Sequence, residues 1–232
     1  MAATDGTNEE REEGDGGNFP ALPLFLRLEG LPVLLIGGFG EAVIKGRWLI
    51  EAGAKLTLTA ERLHPDLRAL AEQGRLRWLA EPFAPHHLEG QWLAVCAEEG
   101  EALRRAVAEA ARQRRVWLNV VDGPRYCTVE WPAVIRRPPV MAAISTGGTS
   151  PALASYLRRR LEGVLPEEIG PLARWLGRWR RETREFLVNP AQRARFWRDL
   201  MDQGLAERYL SGDAAGAEAM IRQALISTTS RT

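Results

Sequence analysis

"PVLLIGGFGEAVIKG", residues 32–46, sets a run of apolar residues ahead of three glycines and a segment of helical character. An apolar run that ends in glycines and opens into a helix reads as the first crossover of a nucleotide-binding α/β domain. There the glycines let the backbone turn tightly and come close to a pyrophosphate. Phe39 interrupts the pattern. Counted from Gly37, the G-x-G-x-x-G/A spacing puts Phe39 at the second glycine and Ala42 at the last position. Counted from Gly38, it restores Gly40 and places Val43 at the close-packing position. The second register is the better reading, because glycine at a helix start costs about 1 kcal/mol against alanine and nothing else in the sequence explains Gly40. A helix N-terminus, itself an anion site, follows in either register. At the end of the next apolar run, Glu61 in "LTLTAERL" stands where an acid would meet an adenosine ribose, with Arg62 beside it.

Working outward, residues 32–121 alternate between two patterns. The runs "PVLLIG", "KLTLTA", "RLRWLA", "WLAVCA" and "VWLNVV" read as strands, and "AVIKGRWLIEAGA", "RLHPDLRALAEQG" and "EALRRAVAEAARQRR" read as helices between several of them. Such alternation, with strands apolar throughout, implies a parallel sheet covered on both faces. After Asp122 the pattern changes: "TVEWPAVIRR" and "VMAAIST" are extended segments joined around Pro138 and Pro139. Helices are expected at 150–162, 167–187, 190–203 and 213–226, separated by Gly163 to Pro166, by Asn189-Pro190 and by Gly212. The expected organisation is an acidic disordered tail (1–18), a Rossmann-like dinucleotide-binding domain (19–124), a β-rich dimerisation segment carrying a substrate loop (125–163) and a helical domain (164–232).

Composition narrows the function classes. The chain of 232 residues is 45% hydrophobic and 26% charged, ordinary for a globular protein with a core. No apolar run approaches the ~18 residues of a membrane span, and the polar first residues are unlike a secretory signal. The chain is therefore expected to be cytoplasmic and to bind no membrane. Residues 1–18 hold six acids and one arginine, a net −5, so the remainder carries +6 of the total +1. Arginines cluster in "YLRRRLEG" and "ARWLGRWRRETREF", but acids are interleaved, which argues against nucleic acid and for a solvated face or a small anionic ligand. Cys96 and Cys127 do not make a disulfide scaffold. His64, His86 and His87 have no partners at ligand spacing, and no permanent metal site is expected.

Two further motifs carry chemistry. "NVVDGPRYC" places Asp122 directly after the fifth strand, and "DGP" is by itself turn chemistry. Ser145, Thr146, Gly147, Gly148, Thr149 and Ser150 form a hydroxyl- and glycine-rich loop ahead of a helix, with Ser150 suited to cap it and Pro151 to begin it. "NVVD" and "STGGTSP" at this separation, after a glycine turn, resemble the precorrin-2 dehydrogenase and sirohydrochlorin ferrochelatase family, the front module of siroheme synthase. The resemblance runs from "LPLFLRLEG" through "LPEEIGPLARWLGRWR" and into the helical tail.

The resemblance implies NAD-dependent oxidation of precorrin-2 to sirohydrochlorin, followed by insertion of ferrous iron, as a substrate, to give siroheme. It implies Asp122 as the general base, since both reactions remove protons from the macrocycle. It places the dinucleotide at Gly37, Gly38, Gly40, Glu41, Glu61 and Arg62, and the tetrapyrrole at Ser145 through Ser150, with Arg158, Arg159 and Arg160 near its carboxylates. It also implies an intertwined homodimer, with an interface expected to include residues 128–162. The sequence departs from the family pattern on the dinucleotide side. Phe39, Glu41 and Ile44 replace a glycine, a valine and an arginine, and Glu98 and Arg104 replace a threonine and an asparagine. The alternatives are a chelatase without dehydrogenation and a non-catalytic tetrapyrrole-binding module.

Overall fold

The computed structural model describes residues 21–229. The expected acidic tail, 1–18, lies outside them. The described residues divide into two compact units, 21–131 with 145–150 and 132–144 with 151–229.

The first unit is built on five strands: β1 (Pro32–Ile36), β2 (Lys55–Thr59), β3 (Arg77–Leu79), β4 (Leu93–Cys96) and β5 (Trp117–Val120). All neighbours are parallel, in the order β3-β2-β1-β4-β5. Helices α1 (Glu41–Glu51), α2 (Pro65–Glu72) and α3 (Glu101–Arg114) complete it, and β3 reaches β4 through a 3₁₀ turn at Pro85–Leu88. Successive residues of β1 serve opposite layers, because side chains alternate across a strand. Val33 and Leu35 pack with Leu49, Leu58 and Leu67, while Leu34 and Ile36 pack with Val107, Ala110 and Leu118. Both faces are thus apolar, which is why the central strands read as unbroken hydrophobic runs. The chain leaves β1 for β2 on one side and reaches β4 on the other, so the strand order reverses between β1 and β4. Open α/β sheets bind ligands at the carboxyl ends of the strands at such a reversal.

The outer edge of β5 is not left bare. Thr128 and Val129 both donate backbone N–H groups to the Leu118 carbonyl, and the Leu118 N–H donates to the Thr128 hydroxyl at 2.8 Å. The segment after Asp122 therefore covers the edge, which answers the unpaired polar groups that an edge strand presents.

The second unit joins an antiparallel hairpin, β6 (Ala133–Arg137) and β7 (Val140–Ile144), to helices α4 (Pro151–Glu162), α5 (Ile169–Glu182), α6 (Pro190–Asp202), α7 (Leu205–Leu210) and α8 (Ala214–Thr229). Its core is Leu172, Trp175, Leu187, Phe196, Leu200, Leu205, Ala217 and Ile221. Gly170 lets α5 begin against the hairpin, since a Cβ there would stand 2.5 Å from the Pro138 carbonyl oxygen. Helix α5 stops earlier than the periodicity predicts, at Glu182 rather than 187. The chain turns there so that Leu187 is fully buried, and Asn189 then caps α6 by accepting from the Ala191 N–H at 2.8 Å. Helix α7 was not predicted; Gly204, at φ 84°, breaks the run and starts it afresh.

Candidate functional site

The glycine turn is shaped by three different demands. Gly37, at φ 112°, crosses closely over the residues after β4: an added Cβ would lie 3.2 Å from the carbonyl carbon of Ala97. Gly38 has no room at all, because a Cβ there would stand 2.0 Å from the Arg62 carbonyl oxygen, and its own carbonyl accepts from the His64 N–H at 2.8 Å. Gly40 caps α1 at φ 55°, ψ −124°, a conformation that side chains other than glycine's strongly resist, with open space around it. The conformation explains Gly40 on its own, which removes the ground on which the sequence reading preferred the Gly38 register. The Phe39 ring, 49% exposed, lies edge-on to His64 with centroids 6.3 Å apart.

These residues face a cleft of about 610 Å³. It is lined by Gly37, Gly38, Phe39, Gly40 and Glu41 from the first turn, Glu61 and Arg62 from the end of β2, Glu98 and Glu99 from the end of β4, and Arg104 and Asp122. The six residues expected to hold a dinucleotide and the expected base therefore share one cavity at the carboxyl ends of the strands. Helices α1 and α3 both start beside it, at Gly40 and Gly100, and neither has a side-chain cap. Uncapped N–H groups at a helix start, next to an open Gly40, fit a pyrophosphate. Charge fits less well, since five lining carboxylates face two guanidiniums.

Asp122 is exposed and adopts φ 54°, a left-handed conformation that aspartate tolerates better than most residues. The turn that holds it is tied on three sides. The Arg104 Nη1 donates to the Asp122 carbonyl at 3.4 Å. The Val120 N–H donates to Cys127 Sγ at 3.1 Å, and the thiol reaches back to the Gly123 carbonyl at 3.5 Å. The Tyr126 hydroxyl donates to the Glu101 carboxylate, which also accepts from Arg125 Nη2 at 2.6 Å. The Tyr126 hydroxyl, with Arg125 as a weaker contributor, holds the Glu101 carboxyl below the usual carboxylate range. Burial pushes the thiols of Cys127 and Cys96 up. Both are ill suited as nucleophiles.

The loop Ser145–Ser150 does not line this cleft. It stands near the Asp122 turn all the same, since a Cβ on Gly148 would lie 4.0 Å from that of Pro124. Its hydroxyls are engaged: Ser145 donates to Glu130 outside the loop, while within it Thr149 donates to the Thr146 carbonyl at 2.5 Å and Thr146 Oγ1 accepts from the Ser150 N–H at 3.1 Å. Gly147 and Gly148 both have positive φ, 62° and 79°, so the paired glycines are needed for the turn itself. Arg158 pairs with Glu162 at 2.5 Å, and Arg159 and Arg160 are exposed.

Sequence reasoning missed two polar residues. Lys45 is only 9% exposed, with Nζ 3.6 Å from Glu41 Oε2 and 4.3 Å from the Trp131 ring centroid. Its signal was a lysine at an apolar helix position. His87, expected to be structural or exposed and without a partner at ligand spacing, is buried and its Nε2 lies 3.0 Å from Glu81 Oε1. Glu81, His86 and His87 bring ligand atoms within 4.8 Å of one another, the one such group among the described residues. The Ala84 N–H donates to His87 Nδ1 at 3.1 Å, so Nε2 must carry the proton that it shares with Glu81. In that tautomer the Nδ1 lone pair is committed to the Ala84 N–H.

Comparison with known proteins agrees with this layout. Residues 24–133 match the model of a family described as NAD(P)-binding, residues 143–163 match "Sirohaem biosynthesis protein central", and residues 168–225 match "Sirohaem synthase dimerisation region". Taken in order, the three matches follow the chain from its NAD(P)-binding part to its dimerisation region, and it is similar to the front part of siroheme synthases. It is 41% identical over 197 residues to siroheme synthase 3 of Aeromonas hydrophila, covering 84% of this chain and 42% of that protein. It is 39% identical over 206 residues to siroheme synthase 2 of Cronobacter sakazakii, covering 89% and 45%. The chain thus spans less than half the length of these relatives. A solved structure titled "SirC, precorrin-2 dehydrogenase" shares the fold, with a TM-score of 0.72 at 19% identity, over 88% of this chain and all of that one. No helix among the described residues is long and apolar enough to cross a membrane.

Proposed function

We propose that the protein oxidises precorrin-2 to sirohydrochlorin with NAD, and that it inserts ferrous iron into the product to give siroheme. One observation carries the reading: Gly37, Gly38, Gly40, Glu41, Glu61, Arg62 and Asp122 line a single cleft at the strand-order reversal. The match to NAD(P)-binding domains and the kinship with siroheme synthases support it.

In this reading Gly40 and the start of α1 hold the pyrophosphate, and Glu61 meets the adenosine ribose. NAD, when bound, accepts two electrons and one proton's worth of hydrogen as hydride from the macrocycle. Loss of that hydride leaves a second hydrogen to go as a proton, and Asp122, exposed at the cleft wall, takes it. In metal insertion the same carboxylate removes pyrrole N–H protons as iron enters. The loop Ser145–Ser150 holds carboxylates of the tetrapyrrole. The Glu81, His86 and His87 group takes no part, and iron is cargo.

The assembly is a homodimer in the cytoplasm. Support comes from the dimerisation-region match and from an apolar surface in the second unit, where Met141, Leu153, Tyr156, Leu161 and Val164 are all exposed. The four-part division into tail, dinucleotide domain, dimerisation segment with substrate loop, and helical domain is part of the same proposal.

Calorimetric titration with NAD, alongside iron insertion into sirohydrochlorin, separates the readings. Binding together with insertion supports the proposal. Insertion without NAD binding leaves a chelatase alone, and failure of both leaves a tetrapyrrole-binding module.

A further inference from the structure

The cleft carries an electrostatic problem. Its lining holds Glu41, Glu61, Glu98, Glu99 and Asp122 against Arg62 and Arg104. On the proposed function the same cavity admits a dinucleotide whose pyrophosphate is anionic, and Glu41 stands in the first turn of α1, where that group would bind. A carboxylate at this point opposes the ligand unless a cation answers it.

Lys45 follows Glu41 by one helical turn, with its Nζ 3.6 Å from Glu41 Oε2 and its side chain 11% exposed. An i,i+4 pair on a helix surface would leave the lysine in water, where the pair is weak and screened. Here the ammonium is drawn inward over the Trp131 ring, 4.3 Å from its centroid, and Trp131 is itself packed against Trp48. Burial lowers the proton affinity of Lys45, while Glu41 and then Asp122 act to restore it. A buried ammonium is costly to keep, and the two carboxylates that favour it both line the cleft.

We infer that Lys45 is a positioning residue for the dinucleotide: acting through Glu41, its ammonium neutralises the carboxylate at the phosphate end of the cleft and admits an anionic ligand. The inference rests on the NAD reading above. Because the pair is partly buried, salt screens it less than it would a surface pair. Arg62 and Arg104 remain for the other acids of the lining.

The test is a double-mutant cycle read as the NAD dissociation constant by calorimetry at neutral pH. Its members are the wild type, Lys45→Met, Glu41→Gln and the double variant, with folding checked by circular dichroism. Methionine keeps the length and the contact with Trp131. Lys45→Met should weaken NAD binding about tenfold, since it leaves Glu41 unanswered. Glu41→Gln should bind at least as tightly as wild type, and the double variant should return close to it. Lys45→Gln replaces Lys45→Met in the cycle if the latter does not fold. A folded Lys45 variant that binds NAD like wild type overturns the inference. So does weakened binding that Glu41→Gln fails to restore, which would make Lys45 structural only. A wild type that binds no NAD removes the NAD reading itself, and the inference with it.

Discussion

Asp122 shows how far a single residue can be read from sequence. "NVVDGP" is strong turn chemistry, and the left-handed φ of 54° bears the turn out. The carboxylate faces the same cleft as the glycine turn, which the local sequence could not show because the two segments lie far apart in the chain. Asp122→Asn keeps the turn, as asparagine tolerates this conformation, whereas Asp122→Ala would add strain. The asparagine variant should fold like wild type, bind NAD unchanged and lose about 10²–10⁴-fold in turnover, the usual worth of a positioned base. Gly38 gives a stability prediction. Gly38→Ala drives a Cβ to within 2.0 Å of the Arg62 carbonyl oxygen and should cost about 1–3 kcal/mol in urea unfolding. Phe39 and Gly40 give a binding one. Gly40→Val should abolish NAD binding, but its φ of 55° makes that loss partly a matter of backbone. Phe39→Gly is the cleaner probe and should tighten binding modestly; no change would mean that the ring, lying against His64, already stands clear of the ligand.

At the scale of elements, the sheet and its helices were legible because two periods, alternation across strands and recurrence around helices, are written directly into residues 32–121. The end of α5 was not, because the pattern continues past Glu182 and only the need to bury Leu187 turns the chain. The position of α1's lysine was equally hidden, since periodicity assigns faces without revealing which polar residue is drawn into one. Its burial has a consequence for stability. The folded chain binds the Lys45 proton less tightly than the unfolded chain does, because burial lowers the lysine below its ordinary 10.5. The unfolded state therefore holds more protons through the window between the lowered value and 10.5, and stability gains from this residue as pH rises through it. Below that window the cost of the buried charge is felt in full. Lys45→Met should accordingly be at least as stable as wild type at neutral pH and show a flatter alkaline profile. Thermal unfolding at a series of pH values checks this, and a clear loss of stability at neutral pH would contradict it.

On the scale of the whole molecule, composition and the two motifs "NVVD" and "STGGTSP" were enough to point to the family, while the cleft's acidity and the internal bonding of the Ser145–Ser150 loop needed coordinates. The apolar surface of the second unit bears on assembly. Sedimentation at micromolar concentration should return a dimer, and Leu153→Glu together with Met141→Lys should shift it toward monomer, because both side chains are exposed at 47%. A wild-type monomer would contradict the proposed homodimer. The central proposal is that this chain uses NAD and Asp122 to oxidise precorrin-2. The most direct measurement is anaerobic turnover of precorrin-2 by wild type and Asp122→Asn, following NADH formation and sirohydrochlorin together. The account predicts one NADH per sirohydrochlorin for wild type, and little of either for the folded, NAD-binding asparagine variant. No NADH from wild type, or equal turnover by the variant, would contradict it.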